Sequence, residues 1–228
     1  MAKSFCYIDW VDAAKDFIST RLRAKIAGFA AQINIEPPLT AKELPHFRGR
    51  VRMKPPQRIE DFLSTGSRAC RFRYTWDLSA IPKELVQAAG LGTNRIYGGV
   101  DLCVAKSFVK WTTDCKAWAT DTWIAEDDEA REMWLESFPF AALRNGDYLG
   151  LRLGKEPEPQ VVYLSHDDVS MVIAPSFAAF LTTWARLCYL GPEIWMLDGF
   201  RESETGFLTA DSEQAQGLRD IFQFHVTD

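Results

Sequence analysis

The clearest hydrophobic periodicity in the chain lies in residues 145–188. Asn145, Gly146 and Asp147 make a turn, because Asn and Gly reach positive φ cheaply and Asp bonds its own backbone. Leu149, Leu151 and Leu153 then alternate with Tyr148, Gly150 and Arg152, the period-two pattern of a strand. The stretch 154–159 breaks that strand, since Pro157 and Pro159 cannot donate to a ladder. Val161, Val162, Tyr163 and Leu164 form a second strand, and the short connection predicts an antiparallel hairpin. Residues 165–168 are a polar loop, and Met171, Val172 and Ile173 add a short third strand. Ser176 then caps a helix, its hydroxyl accepting a free N–H of the first turn. Phe177, Phe180, Leu181, Trp184, Leu187 and Cys188 lie on one stripe of that helix. The leucine face of the hairpin is the nearest surface to cover it. Gly191-Pro192 closes the helix.

Elsewhere the patterns are shorter. Residues 9–33 read as one amphipathic helix capped by Asp9, with Trp10, Ala14, Ile18, Leu22, Ile26, Phe29 and Ile33 on one side. Arg48, Arg50, Arg52 and Lys54 alternate with Gly49, Val51 and Met53, which predicts a strand with one basic face. Residues 59–63 form a short helical piece. Phe72, Tyr74 and Trp76 share one face of a further strand. Residues 77–90 predict a helix with Pro82 in its first turn and Gly90 at its end. A turn and a strand follow at 97–104. Phe108, Trp111, Cys115 and Trp118 fit a helical stripe. A second helix covers about 126–137, its first turn rich in acids that complement the dipole. Asp211, with Gln214 three residues on, starts a last helix that buries Ala215, Leu218, Ile221 and Phe222.

Composition turns these elements into a fold class. A chain of 228 residues with 47% hydrophobic content fills one sizeable core, and 8 Trp and 15 Phe make that core aromatic. No run of eighteen apolar residues occurs, so no membrane span is expected. The N-terminus lacks the pattern of a secretory signal. Cys6, Cys70, Cys103, Cys115 and Cys188 are odd in number and without CxxC spacing, which predicts reduced thiols and a cytoplasmic location. The net charge of −5 hides an asymmetry. Residues 1–120 carry 19 basic and 11 acidic side chains, a balance of +8, whereas residues 121–228 carry 7 and 20, a balance of −13. Internal pairing between the halves would explain this, and so would an acidic face made for a basic partner.

Catalytic and metal-binding patterns are mostly missing. Of His46, His166 and His225, only His166 has an acid and a serine near in sequence, Asp167 and Ser176, and Ser176 is accounted for as a cap. His166, Asp167 and Asp168 are consecutive, and three consecutive side chains seldom converge on one ion. Gly90-Leu91-Gly92 opens like a dinucleotide fingerprint, but Arg95 stands where the third glycine belongs and a helix precedes it. No cofactor is expected. The basic segment 48–58 has the look of a nucleic-acid contact, and also of an edge strand guarded by charge, which the acidic remainder of the chain favours.

The stretch 145–188 resembles the SUKH superfamily, which includes fungal cell-wall assembly regulators of the Smi/Knr type and many bacterial proteins. Asn145-Gly146-Asp147 matches its small-Gly-Asp turn, and two strands lead to His166-Asp167-Asp168. Residues 174–181, with Ser176, Phe177, Phe180 and Leu181, match its small-Ser-Phe-x-x-Phe-Leu helix. Upstream, Ile81-Pro82-Lys83-Glu84-Leu85 and Gly98-Gly99-Val100 are weaker matches. The resemblance implies an α+β fold, a mixed and mainly antiparallel sheet flanked by helices, with an N-terminal helical extension. It divides the chain into an extension of helix and basic strand at 1–58, a core at 59–190, and a tail and helix at 191–228. It also implies a non-enzymatic binding protein. Many bacterial members are immunity proteins that block a toxin, often a basic nuclease, which agrees with the acidic half. The alternatives are a regulatory or scaffold module of the Smi/Knr type, and a nucleic-acid binder using residues 48–58. Candidate partner-binding residues are the acids Glu126, Asp127, Asp128, Asp167, Asp168, Glu202 and Glu204.

Overall fold

A computed structural model of the chain describes residues 5–154 and 158–224. In chain order the elements are α1 (Tyr7–Arg23), β1 (Phe29–Glu36), α2 (Glu43–Arg50), α3 (Gln57–Asp61, continued by a π turn at Phe62–Gly66), β2 (Ala69–Asp77), α4 (Lys83–Ala88), β3 (Arg95–Gly98), β4 (Asp101–Leu102), α5 (Phe108–Asp121), a 3-10 turn (Trp123–Glu126), α6 (Asp128–Glu136), β5 (Ser137–Ala142), β6 (Tyr148–Arg152), β7 (Gln160–Leu164), β8 (Met171–Ala174), α7 (Phe177–Arg186), α8 (Ile194–Leu197, continued by a 3-10 turn) and α9 (Glu213–Phe224). The strands form one sheet in the order β1-β2-β4-β5-β6-β7-β8, with β3 also paired to β2. Every pairing is antiparallel. The molecule is therefore α+β, with β1 and β8 as the sheet edges and an N-terminal helix packed on the core.

The hairpin β6–β7 forms as its pattern requires, with Tyr148 opposite Leu164 and Leu151 opposite Val161. Pro157, half of the expected strand break, lies outside the described residues. Strand β6 is buried at four successive positions, so both its faces are covered. Phe138 packs on Phe108 of α5, whereas Phe140 packs on Phe177 and Phe180 of α7. The register of β5 shifts between Pro139 and Ala141, and that bulge lets residues two apart reach different helices.

The stripe of α7 is buried as its spacing demands, and Ser176 Oγ accepts from the Ala179 N–H at 3.1 Å. Its aromatic cover, however, comes largely from outside the hairpin. Phe177 meets Tyr7, Phe62 and Phe140, and Trp184 meets Trp10, Phe72 and Tyr189. The Trp10 indole N–H also donates to the Leu181 carbonyl at 2.8 Å, which ties α1 to α7. The helix ends at Arg186 and not at Gly191, because Cys188 and Tyr189 already take positive φ.

Several local expectations need correcting. The helix predicted over 9–33 stops at Arg23. Lys25 and Gly28 take positive φ, and residues 29–36 become β1, with its alternate residues turned inward along β2. Phe29 and Ile33 fit both periods, and β2 supplies the partner that decides for the strand. Asp9 sits inside the first turn of α1, and the N-cap is Cys6. The basic strand predicted near 48–54 does not form. Glu43–Arg50 is a helix instead, opened by a reciprocal bond in which Glu43 Oε2 accepts from the Thr40 N–H and Thr40 Oγ1 accepts from the Glu43 N–H. That Thr-x-x-Glu box was legible in the sequence. The helix predicted over 77–90 spans only Lys83–Ala88, with Pro82 at its N-cap and Gly90 at positive φ beyond its end. The last helix is capped by Ser212, whose Oγ accepts from the Ala215 N–H, because Asp211 is engaged by Arg186.

Candidate partner-binding surface

The turn between β5 and β6 and the loop between β7 and β8 meet at one end of the sheet. Gly146 has φ +100°, which lets the turn reverse tightly. Asp147, next to it, is 1% exposed and is the centre of a hydrogen-bond network. Its Oδ1 accepts from the His166 N–H at 2.9 Å and lies 2.7 Å from His166 Nδ1. Its Oδ2 accepts from the Tyr163 hydroxyl and from Asn145 Nδ2. Burial, together with this bond to a carboxylate, holds the Tyr163 hydroxyl well above its usual pKa. Asn145-Gly146-Asp147 and His166, which look like two motifs in sequence, are thus one structural unit.

The loop beyond His166 is built by short bonds. Ser165 Oγ donates to Asp167 Oδ1 at 3.2 Å and accepts from the Asp168 N–H at 3.0 Å. Ser170 Oγ accepts from the Ser165 N–H and from the Trp134 indole N–H of α6. The Trp123 indole N–H donates to the His166 carbonyl at 2.9 Å, and the Trp118 ring lies 5.2 Å from the His166 ring. These tryptophans tie the 3-10 turn and α6 to the loop.

The structure therefore brings five of the seven nominated acids onto connected elements. Glu126 ends the 3-10 turn. Asp127 caps α6, accepting from the Glu129 and Ala130 N–H groups, and Asp128 is in the first turn of α6. Asp167 and Asp168 stand in the loop that Trp123 holds. All five are exposed. Glu202 and Glu204 sit elsewhere, in an exposed turn joined to β8 through the Leu208 N–H and the Ile173 carbonyl. None of the seven forms an ion pair with a lysine or arginine among the described residues. The Trp123 side chain is 46% exposed and Val169 68%, so two large apolar groups stand among these acids. Sequence reading passed over both. Trp123 is out of phase with the α5 stripe, and that phase is the signal that marks an exposed tryptophan.

The basic half behaves differently. Arg48 pairs with Glu60, Arg68 with Glu43, Arg71 with Glu36 and Arg73 with Asp101. Among the described residues, only Arg58 with Glu158 joins the two halves by an ion pair. Arg58 apart, the basic side chains of the first half that form an ion pair find it within their own half, and the acids around Trp123 have no lysine or arginine partner among the described residues.

The chemistry of other candidates is limited. Ser176 Oγ serves its cap and His166 faces Asp147, so no serine triad is assembled. Asp147, His166 and Asp167 offer ligand atoms within 4.8 Å of one another. Asp168 is not part of that group, and the oxygens of Asp147 already accept hydrogen bonds. His225 lies outside the described residues. All five cysteines are free, and four of them are buried. Among the described residues no helix is long and apolar enough to cross a membrane.

These features define an α+β domain on one antiparallel sheet, with a hydrogen-bonded turn and loop at one end. Residues 38–183 match the model of the SMI1 / KNR4 family (SUKH-1), and the chain belongs to that family. No curated protein matches it.

Proposed function

We propose that this protein is a cytoplasmic immunity protein that binds a basic toxin and blocks it by covering its surface. SUKH domains often serve as immunity proteins. The observation that carries the reading is the surface around Trp123, where exposed acids without a lysine or arginine partner among the described residues share the turn, α6 and the loop with two exposed apolar side chains. Aromatic anchors ringed by polar groups are the usual centre of a binding interface, and a one-sign rim speeds encounter with a partner of opposite sign.

The test is capture of a partner from the source cell by the purified chain, followed by titration with that partner at two salt concentrations. Trp123→Ala should weaken binding by tenfold or more, mainly by faster dissociation. The pair Glu126→Lys and Asp168→Lys should slow association and flatten the salt dependence. Circular dichroism checks that each variant is folded. A captured protein that inhibits growth when expressed without this chain completes the case. Binding untouched by both variants would sink the proposed surface. A captured regulator with no toxic activity would favour a Smi/Knr-type module on the same surface.

A further inference from the structure

A cavity of about 240 Å³ opens between α5, α6 and the segment that follows α2. Its floor is apolar, formed by Met53, Cys115, Trp134 and Leu135. Burial pushes the Cys115 thiol far up, so it is a neutral wall and not a nucleophile. The mouth carries Arg52 and Lys116, both exposed. Neither has an acidic partner among the described residues, whereas Arg48 and Arg58 are paired with Glu60 and Glu158.

The remaining polar groups of the lining are spent. Thr112 Oγ1 donates to the Phe108 carbonyl, Thr113 Oγ1 to the Val109 carbonyl and Ser137 Oγ to the Met133 carbonyl. The free hydrogen-bond donors of the cavity are therefore the two cationic groups at its mouth, and no carboxylate lines it. A purely apolar cavity of about 150 Å³ holds a benzene ring. This one has room for a larger body, and its charged mouth selects what that body must carry.

We propose that this cavity binds a small amphipathic anion, with a bicyclic or short acyl body on Trp134, Leu135 and Met53 and a carboxylate or phosphate between Arg52 and Lys116. An apolar pocket with a few converging polar groups is the usual form of a small-molecule site. The arginine fork and the lysine ammonium are the groups that hold such anions. The site uses none of the acids of the partner surface, so it stands or falls apart from the immunity reading.

The experiment is calorimetric titration of the full chain with 2-naphthoate and octanoate, set against the neutral 2-naphthamide and octanamide. Each acid should bind at least tenfold more tightly than its amide. In the variant Arg52→Gln with Lys116→Gln that preference should vanish while the melting temperature stays unchanged, since both side chains are exposed. Naphthyl and octyl phosphates should behave as the acids do. Equal binding of acid and amide to the wild-type chain would overturn the proposal. So would a preference that survives the double substitution, or no binding of any of these probes at millimolar concentration.

Discussion

At the scale of single residues, three buried or bonded carboxylates behave in different ways. Asp147 is buried but fully engaged, so its partners suffer when it is lost. Tyr163→Phe removes the hydroxyl that donates to Asp147 and accepts from Asn145 Nδ2 and should cost about 1–2 kcal/mol, whereas Asp147→Ala strands several buried donors and should cost about 3 kcal/mol, both read from urea denaturation. Glu193 is 4% exposed and its Oε2 has no hydrogen-bond partner among the described residues. Burial raises its pKa, so the folded state favours the protonated form and stability falls as pH rises above the ordinary value of 4.5. Glu193→Gln should therefore have the higher urea midpoint at pH 7, and the difference should close below pH 4.5. Glu43 is the opposite case. Its bonds to Arg68 and then to Thr40 lower its pKa from 4.5 to about 2. The stability it adds is present above 4.5 and lost as pH falls toward 2. Glu43→Gln should flatten that acid limb in a pH series of melting temperatures, and salt should shrink the effect because the group is at the surface.

At the scale of elements, α7 shows how a local signal and a global requirement reinforce each other. Ser176 starts the helix by taking one N–H, and Ser176→Ala should cost about 1 kcal/mol. Phe180, with no exposed surface, packs on Phe140 and Trp184. Phe180→Ala should cost about 3–5 kcal/mol in the same denaturation assay, since it removes buried area and leaves a cavity. The β2–β3 region depends on a close approach instead. A Cβ on Gly98 would sit 2.2 Å from the Tyr189 carbonyl oxygen, so only glycine lets the strand meet the segment after α7. The elements that sequence misassigned were those whose pattern fits two periods. Phe29 and Ile33 fit a helix and a strand alike, and pairing with β2 selects the strand. The arginines near 48–54 alternate, yet eight residues from Glu43 form a helix because Thr40 and Glu43 open one and only Phe47 needs burial.

At the scale of the molecule, the charge asymmetry acquires a location. Most basic side chains of the first half with an ion-pair partner find it within that half, so the acidity of the second half is left at the surface. Association with a basic partner should accordingly slow several-fold between about 50 and 200 mM salt, while dissociation changes little, as stopped-flow mixing would show. A slope of zero would mean that the acids around Trp123 take no part in the encounter.

The sequence by itself determined the α+β class, the hairpin, the capped α7 and the family. Those features rest on local causes: period-two and helical spacing, a cap hydroxyl, a turn that needs glycine. It also held the charge imbalance and every member of the Asp147 network. Only the tertiary structure decided which residues meet. Asp147 reaches His166 because two strands pair, and Trp123 reaches the loop because α5 and α6 fold back over the sheet. Arg52 and Lys116 share a mouth only because α2 ends beside α5. Contacts between residues far apart in the chain follow from packing, which no periodicity in one segment encodes.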